Sequence, residues 1–282
     1  AVVGPEARIF VWLIGGTDDL RAGVADDLDL GIGDAVLLHD LASITAARRA
    51  RVHLKVDTGL HRNGIRPERW SEALDTVRTL VDSGRAELTG VWSHISEASD
   101  ADDDDARALF LSARDAAVDR GLAPAFSHLA ASAAAFARAP FREDLVRIGA
   151  FAYGIRPAGG PSEAELGIQP IATLTAEVMN VDDERVHLDV GALHGLPAAL
   201  SDRFDVRTPA GLRRVRRIGM TTTVVDAWDG ASPGESIAMF GAGAACSATD
   251  LAEITGTIGE EIALRVSPVI PRVYEERPRA AQ

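Results

Sequence analysis

The sequence has very little lysine. Lys55 is the single lysine in 282 residues, so the other 28 of the 29 basic residues are arginines. Such a bias is typical of GC-rich coding. A lone lysine kept inside a predicted strand nevertheless suggests a covalent cofactor link, because an amine can condense with a carbonyl group. Lys55 is therefore the first candidate functional residue.

Other absences exclude whole classes of protein. One cysteine, Cys246, cannot form an internal disulfide bond. The sequence has no apolar run of 18 residues and nothing like the regions of a signal peptide. The net charge is -13 and the basic residues form no stripe, which argues against nucleic acid as a partner. We expect a soluble cytoplasmic protein with no membrane partner, acting on a small molecule or contacting other proteins.

Short β-branched segments alternate with alanine-rich amphipathic segments in the first half of the chain. Six predicted strands cover residues 8–14, 27–31, 52–57, 88–94, 126–129 and 145–153. Helices are predicted between them, at residues 34–51, 67–83, 102–120 and 132–139. This alternation predicts parallel strands joined by right-handed helical crossovers.

Polar residues collect where these strands end, at Asp57, Ser93, His94, His128 and Arg147. Because active sites of α/β barrels lie at the carboxyl ends of the strands, this pattern favours a TIM-type α/β barrel. The barrel is expected to be incomplete, since six strands leave two open edges where eight would close. An open doubly wound sheet is the alternative.

A segment rich in proline, glycine and serine, residues 157–167, ends the alternation. We therefore predict an α/β barrel domain at residues 1–158 and a mostly β domain at 168–282. Predicted strands of the second domain cover residues 171–181, 186–190, 212–218, 222–227 and 236–240, with helices at 248–254 and 258–265. The acidic run ADDDD, residues 101–105, is predicted to begin a helix.

The candidate site residues are Lys55, Asp57, Arg62, His94, His128, Ser132 and Arg147. They allow several chemistries. His53, Asp57, His94 and His128 are candidate metal ligands, although no two histidines have close ligand spacing. Alternatively, Ser132 with the backbone at Gly149 and Ala150 could form a phosphate cup, or Ser132 could simply cap a helix. Arg147, inside an apolar segment, needs a cofactor, a carboxylate or a structural partner.

Four segments resemble motifs of one known family. HLKVDTGLHRNG is similar to HLKVDTGMxRLG, HLAASAA to HLANSAA, and LVRIGAFAYGIRP to VRPGIxLYGxxP. The closing segment DLAEITGTIGEEIALRVSPVIPRVY carries the GTI and PRVY signatures. The chain thus resembles the alanine racemase family, pyridoxal-phosphate (PLP) enzymes built as an α/β barrel and a C-terminal β domain. The similarity runs from Arg8 to Tyr274 and is weaker between Val186 and Met239.

The resemblance implies roles for individual residues. Arg147 would face the pyridine nitrogen of PLP and keep it unprotonated, which favours racemisation over side reactions. Arg62 would lie near the phenolic oxygen, and His94 would flank the ring. Ser132 would hold the cofactor phosphate with the backbone of Gly149 and Ala150. Lys55 matches a strand lysine that is often carbamylated and that positions the arginine, so it does not match the lysine that binds the cofactor covalently.

The covalent lysine of the family lies in a first-strand motif like VVKANAYGHG, whereas this sequence begins at what resembles the third strand. We expect the missing segment to belong to a longer polypeptide or a separate N-terminal piece acting in trans, or the gap to be covered by dimerisation. Taken alone, the chain is expected to be inactive.

The second acid/base group of the family is a tyrosine in the motif GYADG, which corresponds here to residues 191–195. Ala192 stands at the tyrosine position, and His194 is a speculative substitute. In addition, Glu260 replaces a phosphate-binding tyrosine, Ala131 replaces an asparagine and Thr221 replaces an aspartate. The β domain is therefore expected to be altered near the substrate.

The leading hypothesis is an alanine racemase-like protein that, in its complete form, interconverts L- and D-alanine or another small amino acid with PLP. The alternative is a non-catalytic homologue or subunit that binds PLP or another phosphorylated ligand. A metal-dependent barrel hydrolase using His94, His128 and Asp57 is the third. The resemblance also implies a homodimer.

Overall fold

Strands and helices alternate through the first part of the chain, as predicted. The computed structural model describes residues 4, 6–129 and 131–275. Its first unit, Ala1–Ile148, holds a five-stranded parallel sheet in the order β1-β2-β3-β4-β5. The strands are β1 (Phe10–Val11), β2 (Asp29–Ile32), β3 (Ala50–Lys55), β4 (Ala86–Trp92) and β5 (Phe126–His128). The sheet curls into a half-barrel, which confirms the incomplete barrel rather than the open doubly wound sheet.

Five helices accompany this sheet: α1 (Thr17–Ala25), α2 (Ala35–Ser43), α3 (Trp70–Asp82), α4 (Asp100–Asp119) and α5 (Ser132–Ala137). The predicted helix at 34–51 was too long, because the chain turns extended at Ile44 and pairs Arg51 with Asp29 of the neighbouring strand. The first helix was missed, although its apolar residues Leu20 and Val24 are spaced by one turn and both are buried.

The acidic run does begin a helix. Ser99 caps α4 by accepting a hydrogen bond from the backbone N–H of Asp102, and acidic residues fill the first turn. These carboxylates lie at the positive end of the helix dipole, so the structure confirms the prediction.

The sixth predicted strand, residues 145–153, was wrong. Ala150–Tyr153 forms a turn of 3-10 helix, and the preceding residues pair with no strand of the sheet that the structure describes. Local hydrogen bonds satisfy the backbone instead, from Ala152 N to Gly149 O and from Ile155 N to Ala150 O. A backbone closed by its own turn has no free groups for a ladder.

The second unit, Gly149–Gln282, is mostly β, as predicted. Its six-stranded sheet has the order β11-β6-β7-β10-β9-β8, and all its pairs are antiparallel. The strands are β6 (Thr173–Val181), β7 (Arg185–Leu188), β8 (Asp205–Thr208), β9 (Gly211–Ile218), β10 (Thr223–Asp226) and β11 (Ser236–Gly241). The unit also contains α6 (Glu163–Leu166), α7 (Ala248–Thr255) and α8 (Gly259–Arg265).

Strand β6 shows why these segments form a half-buried sheet: Leu174, Ala176 and Val178 are buried while the residues between them are exposed. Strand β8 was missed by sequence reasoning, because DVRT is short and mostly polar.

The segment 149–157 packs within the second unit, and its contacts explain where the chain divides. Arg156 is buried and forms ion pairs with Glu163, Asp250 and Glu253. The hydroxyl of Thr249 donates to the carbonyl oxygen of Arg156 at 3.0 Å. The division between the units therefore falls before the proline- and glycine-rich segment at 157–167.

We expect Phe110→Ala to reduce the free energy of unfolding by about 3–5 kcal/mol, because Phe110 of α4 is fully buried in the core of the first unit. Urea unfolding followed by circular dichroism measures this. Phe136→Ala is the matched control, since 53% of Phe136 is exposed. Equal losses in the two variants would contradict the assignment of Phe110 to the core.

Candidate functional site

The carboxyl ends of β3, β4 and β5 bring together side chains that are far apart in sequence. Lys55 ends β3, Ser93 and His94 follow β4, and His128 ends β5. Because neighbouring parallel strands end at the same edge of the sheet, these residues become neighbours. Arg147 reaches the same edge from the irregular segment that follows α5.

Arg147 is held by hydrogen bonds to both strand ends. Its Nη2 donates to Ser93 O at 2.6 Å and to Leu129 O at 3.0 Å. Its Nη1 lies 2.7 Å from Nδ1 of His128, and its Nη2 lies 3.2 Å from Nδ1 of His94. Burial lowers the pKa of Arg147 to about 10, so the guanidinium stays charged at neutral pH.

The bonds and the charge of Arg147 favour the neutral state of both histidines. A guanidinium only donates, so Nδ1 of His128, which lies 2.7 Å from Nη1, must accept and carry no proton. The His128 ring is therefore neutral, with the hydrogen on Nε2. Nη2 has two hydrogens for three nearby acceptors, so its 3.2 Å contact with Nδ1 of His94 is the weakest of the set. Burial, followed by the charge of Arg147, lowers the pKa of His128 to about 2 and that of His94 to about 3. His94 and Arg147 are thus brought together as predicted, with His128 between the arginine and the core.

Lys55 is the most constrained cation of the site. Its side chain is 1% exposed, and among the residues that the structure describes its Nζ has no hydrogen-bond partner. The Nζ lies 4.6 Å from the ring centroid of Trp92, a cation–π contact. Burial, with added repulsion from Arg62 and Arg147, lowers the pKa of Lys55 to about 8.

An aromatic side chain that sequence reasoning missed joins the two arginines. The ring of Trp12, just after β1, lies 5.7 Å from Cζ of Arg62 and 5.6 Å from Cζ of Arg147. The ring centroids of Trp12 and His94 are 5.0 Å apart. Lys55, Arg62 and Arg147, with Trp12 and His94, are called the cationic cluster below.

Asp57 orients the loop that carries Arg62. Its carboxylate accepts from the backbone N–H groups of Gly59 and His61, and lies 2.9 Å from Nδ1 of His61. Burial raises the pKa of Asp57, but the hydrogen bonds from His61 and Gly59 outweigh it and leave that pKa below its usual value. His61 has a positive φ of 55°, a backbone conformation that is sterically unfavourable for a residue with a side chain. The hydrogen bonds between His61 and Asp57 hold the loop in this conformation. The Asp57–His61 pair was missed, although the four-residue spacing was visible in the sequence.

Ser132 is buried and is the first residue of α5. The cap position belongs to Ala131, which has no side-chain cap bond, so the alternative that Ser132 caps the helix was wrong. The backbone N–H of Ala134 donates to the carboxylate of Glu97 at 2.8 Å. Gly149 and Ala150 belong to the second unit, and their part in a phosphate site with Ser132 stays a prediction.

The GALHG segment forms a tight turn, Ala192–His194. Ala192 N and Leu193 N donate to the carbonyl oxygens of Gly219 and Met220, while Nδ1 of His194 accepts from Gly191 N at 3.0 Å. His194 is therefore folded back on its own turn. Glu260 lies in the first turn of α8, where a carboxylate complements the dipole.

The proposed metal ligands do not gather into a metal site. No group of three or more histidine, cysteine, aspartate or glutamate side chains in the described part of the chain could hold an ion. His94 and His128 accept from Arg147 through Nδ1, and Asp57 is paired with His61. The hydrolase hypothesis based on these residues was therefore wrong.

A half-barrel with a cationic cluster at its strand ends, followed by an antiparallel β domain, is the architecture of a PLP-dependent racemase. Two family models match the chain: alanine racemase, N-terminal domain, over residues 2–157, and alanine racemase, C-terminal domain, over residues 175–274. Among the residues that the structure describes, no helix has the length and apolar character to cross a bilayer.

Curated relatives and solved structures agree with the family models. The chain is 34% identical over 300 residues to an alanine racemase of Thermobifida fusca, covering 96% of this chain and 79% of that one. It is 34% identical over 306 residues to one of Salinispora arenicola, covering 98% and 81%. The crystal structure of alanine racemase from D-cycloserine producing Streptomyces lavendulae matches with a TM-score of 0.81 at 29% identity, covering 95% of this chain and 78% of that one.

The alanine racemase of Streptomyces coelicolor A3(2) matches with a TM-score of 0.86 at 28% identity, covering 96% of this chain and 79% of that one. The chain therefore belongs to the alanine racemase family.

The single lysine allows a direct test of the site's electrostatics. With lysine labelled by ¹⁵N and ¹³C, NMR should show one side-chain amine whose pKa is about 8, below the ordinary 10.5, because the amine is desolvated and faces two arginines. Between these two pH values the unfolded chain binds more protons, so stability rises with pH there. Lys55→Met should flatten that rise in urea unfolding. An amine that titrates at its ordinary value would contradict the buried placement.

Proposed function

We propose that this chain binds PLP and serves the reaction of its family, the interconversion of L- and D-alanine. The observation that carries the proposal is the cationic cluster. Lys55 is buried at the end of β3, Arg147 is half-buried beside it, and Arg62 lies exposed on the loop that follows β3. Among the described residues, Lys55 has no hydrogen-bond partner and Arg147 is bound to carbonyl groups and imidazoles rather than to a carboxylate. This local excess of positive charge fits an anionic ligand, because the ligand supplies negative charge.

The cluster offers several donors to such an anion. The guanidinium of Arg147 is held rigidly by four acceptors and still keeps its buried Nε unpartnered. An arginine is suited to an unprotonated ring nitrogen, since it donates and does not give up its proton. Arg62, on the loop pinned by Asp57, would face the phenolic oxygen, and His94 would flank the ring. A carbamate on Lys55 would turn that cation into an anion between the two arginines.

Ser132 would bind the phosphate through its hydroxyl group. When bound, PLP withdraws electrons from the α-carbon of an amino acid, which makes its proton removable. A small amino acid is the substrate class that the family membership supports, and we expect a homodimer on the same grounds.

A second candidate function is PLP binding without racemisation. Ala192 favours it, because racemisation needs two positioned acid/base groups and alanine supplies neither a proton nor a base. In the observed turn, Nδ1 of His194 accepts from Gly191 N, so Nε2 is the only ring nitrogen that His194 could offer to a substrate.

Addition of PLP to the purified chain should produce a saturable change in its absorbance. Borohydride reduction followed by intact-mass analysis then reports whether any cofactor is covalently attached. Incubation with L-alanine and PLP, followed by chiral chromatography, reports D-alanine. Cofactor binding with D-alanine formation supports the proposal, and binding without D-alanine supports the second candidate. No binding of PLP contradicts both.

Arg147→Gln should weaken PLP binding about a hundredfold, equivalent to about 3 kcal/mol, because a charged donor to the ring nitrogen is lost. Arg114→Gln is the control, since Arg114 lies on α4 and pairs with Asp115 and Glu143. Equilibrium titration followed by absorbance measures both variants. Equal affinities in a folded Arg147→Gln protein would remove Arg147 from the cofactor site.

A further inference from the structure

The bonds of Arg147 continue through the sheet into the core. Nδ1 of His128 accepts a hydrogen bond from Arg147, so Nε2 of His128 carries the hydrogen. That Nε2 lies 2.9 Å from Nδ1 of His53. His53 must then accept at Nδ1 and carry its own hydrogen on Nε2. That Nε2 lies 3.4 Å from Oδ1 of Asp29 on β2. The four residues form one chain of hydrogen bonds that runs from Arg147 to Asp29.

Every bond of this chain points in the same direction. Arg147 can only donate, and the ionised Asp29 can only accept, so both ends impose the same tautomer on the two histidines between them. Burial lowers the pKa of His53 to about 4 and that of His128 to about 2, so both rings are neutral at neutral pH. Two neutral imidazoles therefore connect a cation to an anion without carrying charge themselves.

Asp29 is well suited to hold the far end. Arg8 donates to its two oxygens, at 2.6 and 3.1 Å, and Nε of Arg51 lies 3.2 Å from Oδ1. Burial raises the pKa of Asp29, but the hydrogen bond and charge of Arg8, with the charge of Arg51, outweigh it, so the carboxyl stays ionised with a lowered pKa. The bond to His53 is the longest of the set, which makes it the one most easily lost.

Aromatic rings enclose the middle of the chain. Trp92 stacks on His128, with ring centroids 5.5 Å apart and an interplanar angle of 12°. The ring centroids of Phe10 and His53 are 4.9 Å apart. His53 is 3% exposed and His128 is 0% exposed. In such a dry setting each imidazole must take its hydrogen bonds from protein groups, so a broken link cannot be replaced cheaply by water.

We propose that Asp29 and His53 are positioning residues for Arg147: they hold His128 in the Nε2-protonated tautomer, and His128 in turn fixes the guanidinium that faces the ligand. The proposal rests on the proposed function only in naming PLP as that ligand. The hydrogen-bond chain itself is a property of the protein without cofactor.

The first test uses the protein without cofactor. Long-range ¹H–¹⁵N correlation of histidine side chains at neutral pH should show His53 and His128 neutral, with the proton on Nε2. An imidazolium, or a proton on Nδ1 of either ring, would overturn the proposal.

Variants then test the transmission to Arg147. His53→Leu breaks the chain, whereas His53→Gln can accept from His128 through its oxygen and donate to Asp29 through its amide. Asp29→Asn removes the charge at the end of the chain. The matched control is Asp27→Asn, because Asp27 pairs with Arg48 and Arg51 rather than with His53.

We expect His53→Leu and Asp29→Asn to speed hydrogen exchange of the Arg147 guanidinium and to weaken PLP binding, each about tenfold. His53→Gln should restore most of both effects, and Asp27→Asn should change neither. If Asp29→Asn fails to fold because Arg8 and Arg51 lose their partner, the comparison of His53→Leu with His53→Gln tests the proposal.

A folded His53→Leu protein with unchanged Arg147 exchange, or a His53→Gln protein as impaired as His53→Leu, would overturn the proposal. If the unaltered protein binds no PLP, the proposed function fails, whereas the tautomer and exchange measurements still judge the positioning role.

Discussion

The half-buried guanidinium of Arg147 imposes the constraint on which the site depends. A charge that is partly removed from water needs hydrogen-bond acceptors, and no carboxylate in the described part of the chain pairs with it. Two strand-end carbonyl groups and two imidazoles supply these acceptors. This requirement fixes the ends of β4 and β5 against each other and forces both histidines into the neutral state. The arrangement of the site therefore follows from the cost of removing the guanidinium of Arg147 from water.

The same constraint explains why the site suits an anion. Arg147 uses neutral partners, Lys55 has no hydrogen-bond partner among the described residues, and Arg62 lies against Trp12 rather than a carboxylate. Positive charge is thus left uncompensated at the one edge of the sheet where parallel strands end. The protein tolerates this surplus partly by lowering the pKa of Lys55 and partly through cation–π contacts. A bound phosphorylated cofactor would remove most of the electrostatic cost.

The motif resemblance assigns different roles to the two units. It implies that Arg62, His94 and Arg147 of the half-barrel lie near the ring of PLP, and that Ala192 and Glu260 of the β domain stand at positions where the family has tyrosines. Ala192 lies in a turn that its own backbone bonds hold firmly, to Gly219 and Met220. The resemblance thus implies that cofactor binding and proton transfer depend on residues of different units.

The sequence alone determined the alternation of strands and helices, the change to antiparallel β structure and the shared position of Lys55, His94 and Arg147. It did so because hydrophobic periodicity and strand direction are local properties that short segments reveal. The end of the sixth predicted strand was not visible in this way, since local turn bonds at residues 149–155 replaced the ladder that the apolar pattern predicted.

Only the tertiary structure decided that Trp12 covers two arginines and that Asp29 reaches Arg147 through His53 and His128. The physical reason is that hydrogen-bond direction and charge compensation join residues from three strands and from segments outside them, and no single segment of sequence records which donor meets which acceptor.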